Sequence, residues 1–158
     1  MFKFPQKDNH QLESKMFRKL IHTDNSKTTL LIRLMVGAVF LSEGIQKFLF
    51  PDLLGAGRFA KIGLPSPEFL GSFVGSFEIV CGALVLLGLL TRFASFPLII
   101  IILVAIATTK TEVLADKGFW EMLHVCRTDW AMFLGSIFLL IKGGGSLSVD
   151  KKIMNGGK

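Results

Sequence analysis

Tyrosine is absent from the 158 residues, and cysteine occurs only twice, as Cys81 and Cys126. Two isolated cysteines exclude a disulfide-stapled scaffold, and there is no C-x-x-C redox pair. Charge is scarce as well. Asp, Glu, Lys and Arg make up 19% of the chain, against about 25% in a soluble domain. No His, Cys or carboxylate spacing matches a metal site, so no metal is expected. A Ser/His/Asp arrangement or nucleophile elbow is missing too. Gly55-x-Gly57 stands alone, with no strand before it, and does not form a dinucleotide fingerprint. No segment of roughly 20 to 50 residues repeats.

Apolar residues are abundant, at 51%, and they fall into four blocks. A helix needs roughly 20 residues to cross about 30 Å of hydrocarbon. The first block runs from about Thr28 to Phe50 and is stopped by Pro51. The second runs from about Pro67 to Leu90, with Ser66 as N-cap, Pro67 at the first helical position and Glu68 in the first turn. The third runs from about Thr91 to Thr111, with Pro97 near its beginning. In the fourth, the apolar stretch Trp130 to Ile141 rises only about 18 Å. Its helix must therefore begin earlier, near Phe119 to Leu123, and Gly143-Gly144-Gly145 ends it.

None of the blocks alternates with a period of two, and lipid requires backbone amides to be satisfied within the segment. The reading is an all-α polytopic membrane protein, an antiparallel bundle of four transmembrane helices. Residues 28–145 form the bundle, 1–27 a basic tail and 146–158 a C-terminal tail. The first 27 residues lack the pattern of a cleavable signal. Within them Leu12, Met16, Phe17, Leu20 and Ile21 share helical spacing with Lys15, Arg18 and Lys19, as in a short surface helix. Arg58, Phe59, Lys61 and Ile62 read as a short interfacial element between the first two spans.

Basic residues set the orientation. Eleven lie with the two termini and the second connection: Lys3, Lys7, Lys15, Arg18, Lys19, Lys27, Arg92, Lys142, Lys151, Lys152 and Lys158. Six lie at the other end: Lys47, Arg58, Lys61, Lys110, Lys117 and Arg127. The positive-inside rule then puts both termini in the cytoplasm of a bacterial inner membrane. The net charge of +6 thus reflects topology, and nucleic acid is excluded as a partner.

Ionisable groups inside the spans cost about 2.5–3.5 kcal/mol each without a partner. Candidates for an intramembrane polar or ligand site are Arg33, Glu43 and Lys47 on the first helix and Glu78 on the second. His124, Arg127 and Asp129 join them from the fourth. Gly37 and Gly44 lie on the same face as Arg33 and Lys47, and Gly71, Gly75 and Gly82 stripe the Glu78 face. Such stripes let helix backbones approach closely. In an antiparallel pair Glu78 falls level with Val39 or Phe40. Glu43 is then about 6 Å outward, and Arg33 and Lys47 are each about 10 Å away along the axis. Thr108, Thr109 and Lys110 fall in the same outer half. The same residues also fit a purely structural role, as buried ion pairs that hold helices together. Cys81 and Cys126 differ in depth by about 15 Å, too far for a bridge, whose Cα atoms must lie within roughly 7 Å.

Arg33, Gly44-Ile-Gln-Lys-Phe48, the Leu86-Leu-Gly-Leu-Leu-Thr-Arg92 end of the Glu78 helix, and Gly143-Gly-Gly-Ser-Leu-Ser-Val-Asp150 together resemble the DoxX family. The likeness spans about Leu30 to Asp150. Members commonly carry a histidine or aromatic residue before the glycine of the first helix, where this chain has Glu43. The family is named after a thiosulfate:quinone oxidoreductase and is linked to membrane complexes that handle oxidative stress. The resemblance thus implies the bundle, a redox-complex partner, and quinone as the ligand, since no flavin, haem or iron–sulfur motif is present. Two other functions stay open beside a quinone-linked redox subunit. One is a non-catalytic scaffold that recruits partners through its basic tail. The other is a small-solute transporter, which would require a homo-oligomer.

Overall fold

The computed structural model describes Met16 and residues 18–156. Those residues are helical, with no strand among them. Helix α1 is Thr29–Leu49, and two short helices follow, α2 (Pro51–Leu54) and α3 (Ala56–Lys61). Helix α4 is Pro67–Leu87, α5 is Thr91–Lys117, α6 is Phe119–Lys142 and α7 is Val149–Gly156. Four of these, α1, α4, α5 and α6, are long and apolar enough to cross a membrane. Only 11% of the apolar window of α5 is buried within the chain. Leu31, Phe69, Phe93, Phe96 and Leu134 all point outward. An apolar exterior on every long helix is stable only in lipid, so the chain is a polytopic all-α membrane protein.

The glycine stripes set how α1 meets α4. A Cβ on Gly44 would stand 2.7 Å from the Gly75 carbonyl oxygen, and one on Gly37 would stand 2.9 Å from that of Gly82. The two antiparallel backbones therefore touch, and this register places Glu78 level with Leu41, one residue from the expected depth. Gly71 instead admits α3, since its Cβ would lie 2.8 Å from the Ala56 amide nitrogen. A second close pair, α5 with α6, turns at Gly118. Between the pairs lies a core of Val36, Phe40, Cys81, Val85, Leu98, Ile102, Met132 and Leu139. Cys81 and Cys126 are both buried and both free thiols.

Three local expectations are corrected. Ser66 does not cap α4. Pro67 bars it from right-handed helical angles, it takes left-handed ones (φ 45°, ψ 58°), and its side chain makes no cap bond. Helix α5 runs six residues past Thr111, to Lys117, because Glu112, Val113, Leu114 and Ala115 continue it without a breaker. At about 1.5 Å per residue its 27 residues span about 40 Å, longer than the hydrocarbon. Pro97 lies at the seventh position of α5, inside the helix rather than in its first turn. Of the surface helix expected over Leu12 to Ile21, Met16, Arg18, Lys19 and Leu20 are helical and exposed, Ile21 is buried, and residues 12–15 and 17 lie outside the described residues.

At the end of the bundle that holds residues 18–28 and 143–156, two buried charged side chains tie the elements together. Arg33, 2% exposed, donates from Nε to the Val85 carbonyl at 2.9 Å and from Nη2 to that of Leu86. Its Nη1 reaches the carbonyls of Gly144 at 3.2 Å and Leu147 at 2.6 Å. One guanidinium thus satisfies carbonyls at the end of α4 and in the loop after α6, groups that a helix terminus leaves open. Asp150, 1% exposed, accepts from the Leu90 amide at 2.8 Å, the Thr91 amide at 3.0 Å and the Thr91 hydroxyl at 3.1 Å. It caps α5 from 59 residues away. The Asp150 amide in turn donates to the Gly88 carbonyl at 2.9 Å. Gly88 supplies the left-handed turn (φ 69°) that ends α4.

Candidate functional site

The other end of the bundle holds a cavity of about 540 Å³ between the α1–α4 and α5–α6 pairs. Its walls are mainly apolar, with Val39, Phe40, Phe73, Ile101, Ala105 and Met132 among them. Leu54, Arg58, Phe59 and Ile62 close it from the side of α2 and α3. The interfacial element expected around Arg58 is therefore a pair of short helices that bears on the cavity.

Two charge clusters face into it. On α1, Glu43 and Lys47 are one turn apart, with Lys47 Nζ 3.8 Å from Glu43 Oε2. The same Nζ lies 2.6 Å from Glu78 Oε2 on α4. The glycines make this possible, because touching backbones bring a lysine and a glutamate from two helices within direct reach. The Lys47 side chain is 12% exposed and that of Glu78 only 4%. At 2.6 Å the ammonium and the carboxylate form a direct, charge-assisted pair that is almost entirely buried. Across the cavity, Lys110 Nζ on α5 lies 3.0 Å from Asp129 Oδ2 on α6. The hydroxyls of Thr108 and Thr109 donate back to Val104 at 2.8 Å and Ala105 at 2.6 Å on their own helix.

Of the residues expected from the sequence, Glu43, Lys47, Glu78 and Asp129 line this one cavity. Arg33 does not; its guanidinium turns to the opposite end and binds backbone carbonyls. His124 and Arg127 are exposed on the outer face of α6, where Arg127 Nη1 lies 2.8 Å from His124 Nε2 and 2.8 Å from its own helix's His124 carbonyl. Lys110, counted in the sequence only as an outer-half polar group, is half of the second ion pair. A hairpin turning at Gly118 brings residue 110 roughly level with 127–129, so the α5–α6 spacing carried that signal. Among the described residues no three His, Cys, Asp or Glu side chains gather as metal ligands.

The DoxX family model matches residues 28–111. An uncharacterized membrane protein of Mycobacterium tuberculosis is 50% identical over 141 residues, covering 85% of this chain and 86% of that protein. CatD of Bacillus subtilis, which carries the name of a candidate oxidoreductase, is 30% identical over 131 residues, covering 82% of this chain and 90% of its own. No solved structure matches. The match over more than half of the chain, and a relative identical at every second position along most of its length, establish that this membrane protein belongs to the DoxX family.

Proposed function

We propose that this protein is an inner-membrane subunit of a redox complex, with both termini in the cytoplasm, that holds a quinone headgroup in the cavity between the two helix pairs. The observation that carries the reading is the buried Lys47–Glu78 ion pair at membrane depth, 2.6 Å across, on the wall of an apolar cavity. Charged groups inside a membrane bundle mark ligand or proton sites, and a few polar groups converging on an apolar cavity are what orient a small ligand. The volume of about 540 Å³ lies within the usual range for small-molecule sites, roughly 300–1,000 Å³. The apolar walls suit a ring drawn from the bilayer, and the CatD name supports a redox setting.

The residues divide the work by charge. Lys47 and Lys110, on opposite helix pairs, offer ammonium donors to the two carbonyl oxygens of a quinone. Glu43 and Glu78 sit within reach of Lys47 and can hold and release protons. A quinone supplies the acceptor for two electrons and two protons; the electrons come from a partner subunit. The test is equilibrium binding of a decyl-ubiquinone analogue to the full chain in lipid nanodiscs. The expected result is one saturable site per chain, weakened at least about tenfold by Lys47→Gln and unchanged by Arg127→Gln, whose guanidinium lies outside the cavity. Uptake equal to that of protein-free discs overturns the reading.

A further inference from the structure

A second groove, of about 480 Å³, lies at the opposite end of the bundle, between the N-terminal segment, the start of α5 and the end of α6. Lys19 and Arg92 are its charged groups, Leu20, Phe93, Phe96 and Leu140 form its apolar wall, and among the described residues no carboxylate lines it. Arg92 is the second residue of α5, so it lies at the level where the helix meets the membrane surface. Phe96 is one turn deeper, about 6 Å. Charge at the rim with apolar surface directly beneath it matches the layout of a phospholipid, phosphate above and acyl chain below.

The arginine is anchored at the rim of the groove. Arg92 Nη2 donates to the Ile141 carbonyl at 2.6 Å, which anchors the guanidinium to the end of α6. Its Nε is buried without a partner. Among the described residues, two acids at this end are already engaged. Asp150 caps α5. Asp24 accepts from the Ser26 amide at 3.2 Å and the Thr29 hydroxyl at 3.5 Å. Among the described residues every ion pair lies at the cavity end, and none involves Lys19 or Arg92. We infer that this groove is a binding site for one anionic phospholipid, its phosphate held between Lys19 and Arg92 and one chain laid along Phe93, Phe96 and Leu140. Basic pockets beside transmembrane helices hold anionic headgroups by this arrangement. The inference is independent of the quinone reading, since it uses a different end of the molecule and none of the same residues.

Native mass spectrometry of the detergent-purified full chain, offered equal phosphatidylglycerol and phosphatidylcholine, tests it. The wild-type chain should retain phosphatidylglycerol in preference, by about fivefold or more, with each cation removed costing about fivefold. Lys19→Gln alone, at an exposed position, should reduce the preference, and Lys19→Gln with Arg92→Gln should abolish it. Lys152→Gln, outside the groove, should leave it unchanged. Equal retention of the two lipids, or an undiminished preference in Lys19→Gln and the double variant, overturns the site.

Discussion

Replacing Asp150 by alanine should destabilise the bundle more than any other change in the C-terminal segment. The carboxylate accepts three hydrogen bonds, at 2.8, 3.0 and 3.1 Å, and is 1% exposed. Each bond contributes about 1 kcal/mol net, and more when the acceptor is charged. A negative charge at a helix N-terminus adds about 0.3–1 kcal/mol. The truncation also strands the buried Thr91 amide and the half-buried Leu90 amide, whose only acceptor among the described residues is this carboxylate. A loss of about 3–5 kcal/mol follows. Asp150→Asn keeps one carbonyl acceptor but turns an amide toward donors, and should cost about half as much. Lys151→Ala, which removes only an exposed 2.5 Å contact to Asn25, should cost less than about 0.5 kcal/mol. Reversible unfolding in mixed detergent micelles, followed by far-ultraviolet circular dichroism, ranks the three. A loss within 0.5 kcal/mol of Lys151→Ala for Asp150→Ala would refute the idea that the tail residue caps α5.

Other outcomes follow from the same geometry. Gly44→Ala places a methyl 2.7 Å from the Gly75 carbonyl oxygen and 2.8 Å from Ile79. It should cost about 1–3 kcal/mol in the same unfolding assay, whereas Gly156→Ala, with open space around it, should cost almost nothing. Lys47→Met leaves Glu78 buried without its cation and should destabilise by about 3–5 kcal/mol. The double variant Lys47→Met, Glu78→Met should recover most of that loss, and purely additive effects in the cycle would show that the two groups do not interact. Cys81 and Cys126, 4% and 1% exposed, should resist a membrane-impermeant maleimide in the folded chain. Both should label once the chain is unfolded in dodecyl sulfate, as mass spectrometry of the intact protein would show.

The two ends of the bundle differed in how far they could be read from the residues alone. At the cavity end the glycine spacing carried most of the answer. Gly37, Gly44, Gly75 and Gly82 fix the α1–α4 register, and register with helical rise places Glu43, Lys47 and Glu78 together. At the other end periodicity was silent. Arg33 shares a helix face with Lys47, yet its side chain serves carbonyls of α4 and of the loop after α6. A long flexible side chain can reach in either direction along a helix, and only the packed structure decides which. Asp150 lies in a stretch whose composition reads as a tail, and its role depends on a turn 59 residues away. The DoxX-like motif pieces make sense in this light. Arg33, Leu86–Arg92 and Gly143–Asp150 meet in one lock that closes the helix ends, and only Gly44–Phe48 contributes to the cavity. Much of the recognisable signature therefore maintains the fold, and the proposed quinone site draws on a few side chains at the other end.

Photoaffinity labelling with an azido-quinone, on the full chain in nanodiscs, tests the central claim most directly. Cross-links are expected in the peptides that carry Phe73, Ile101 or Met132, removed by excess unlabelled quinone. Labelling confined to the lipid-facing residues Phe93, Phe96 and Leu134, or labelling that excess quinone does not compete away, would contradict it.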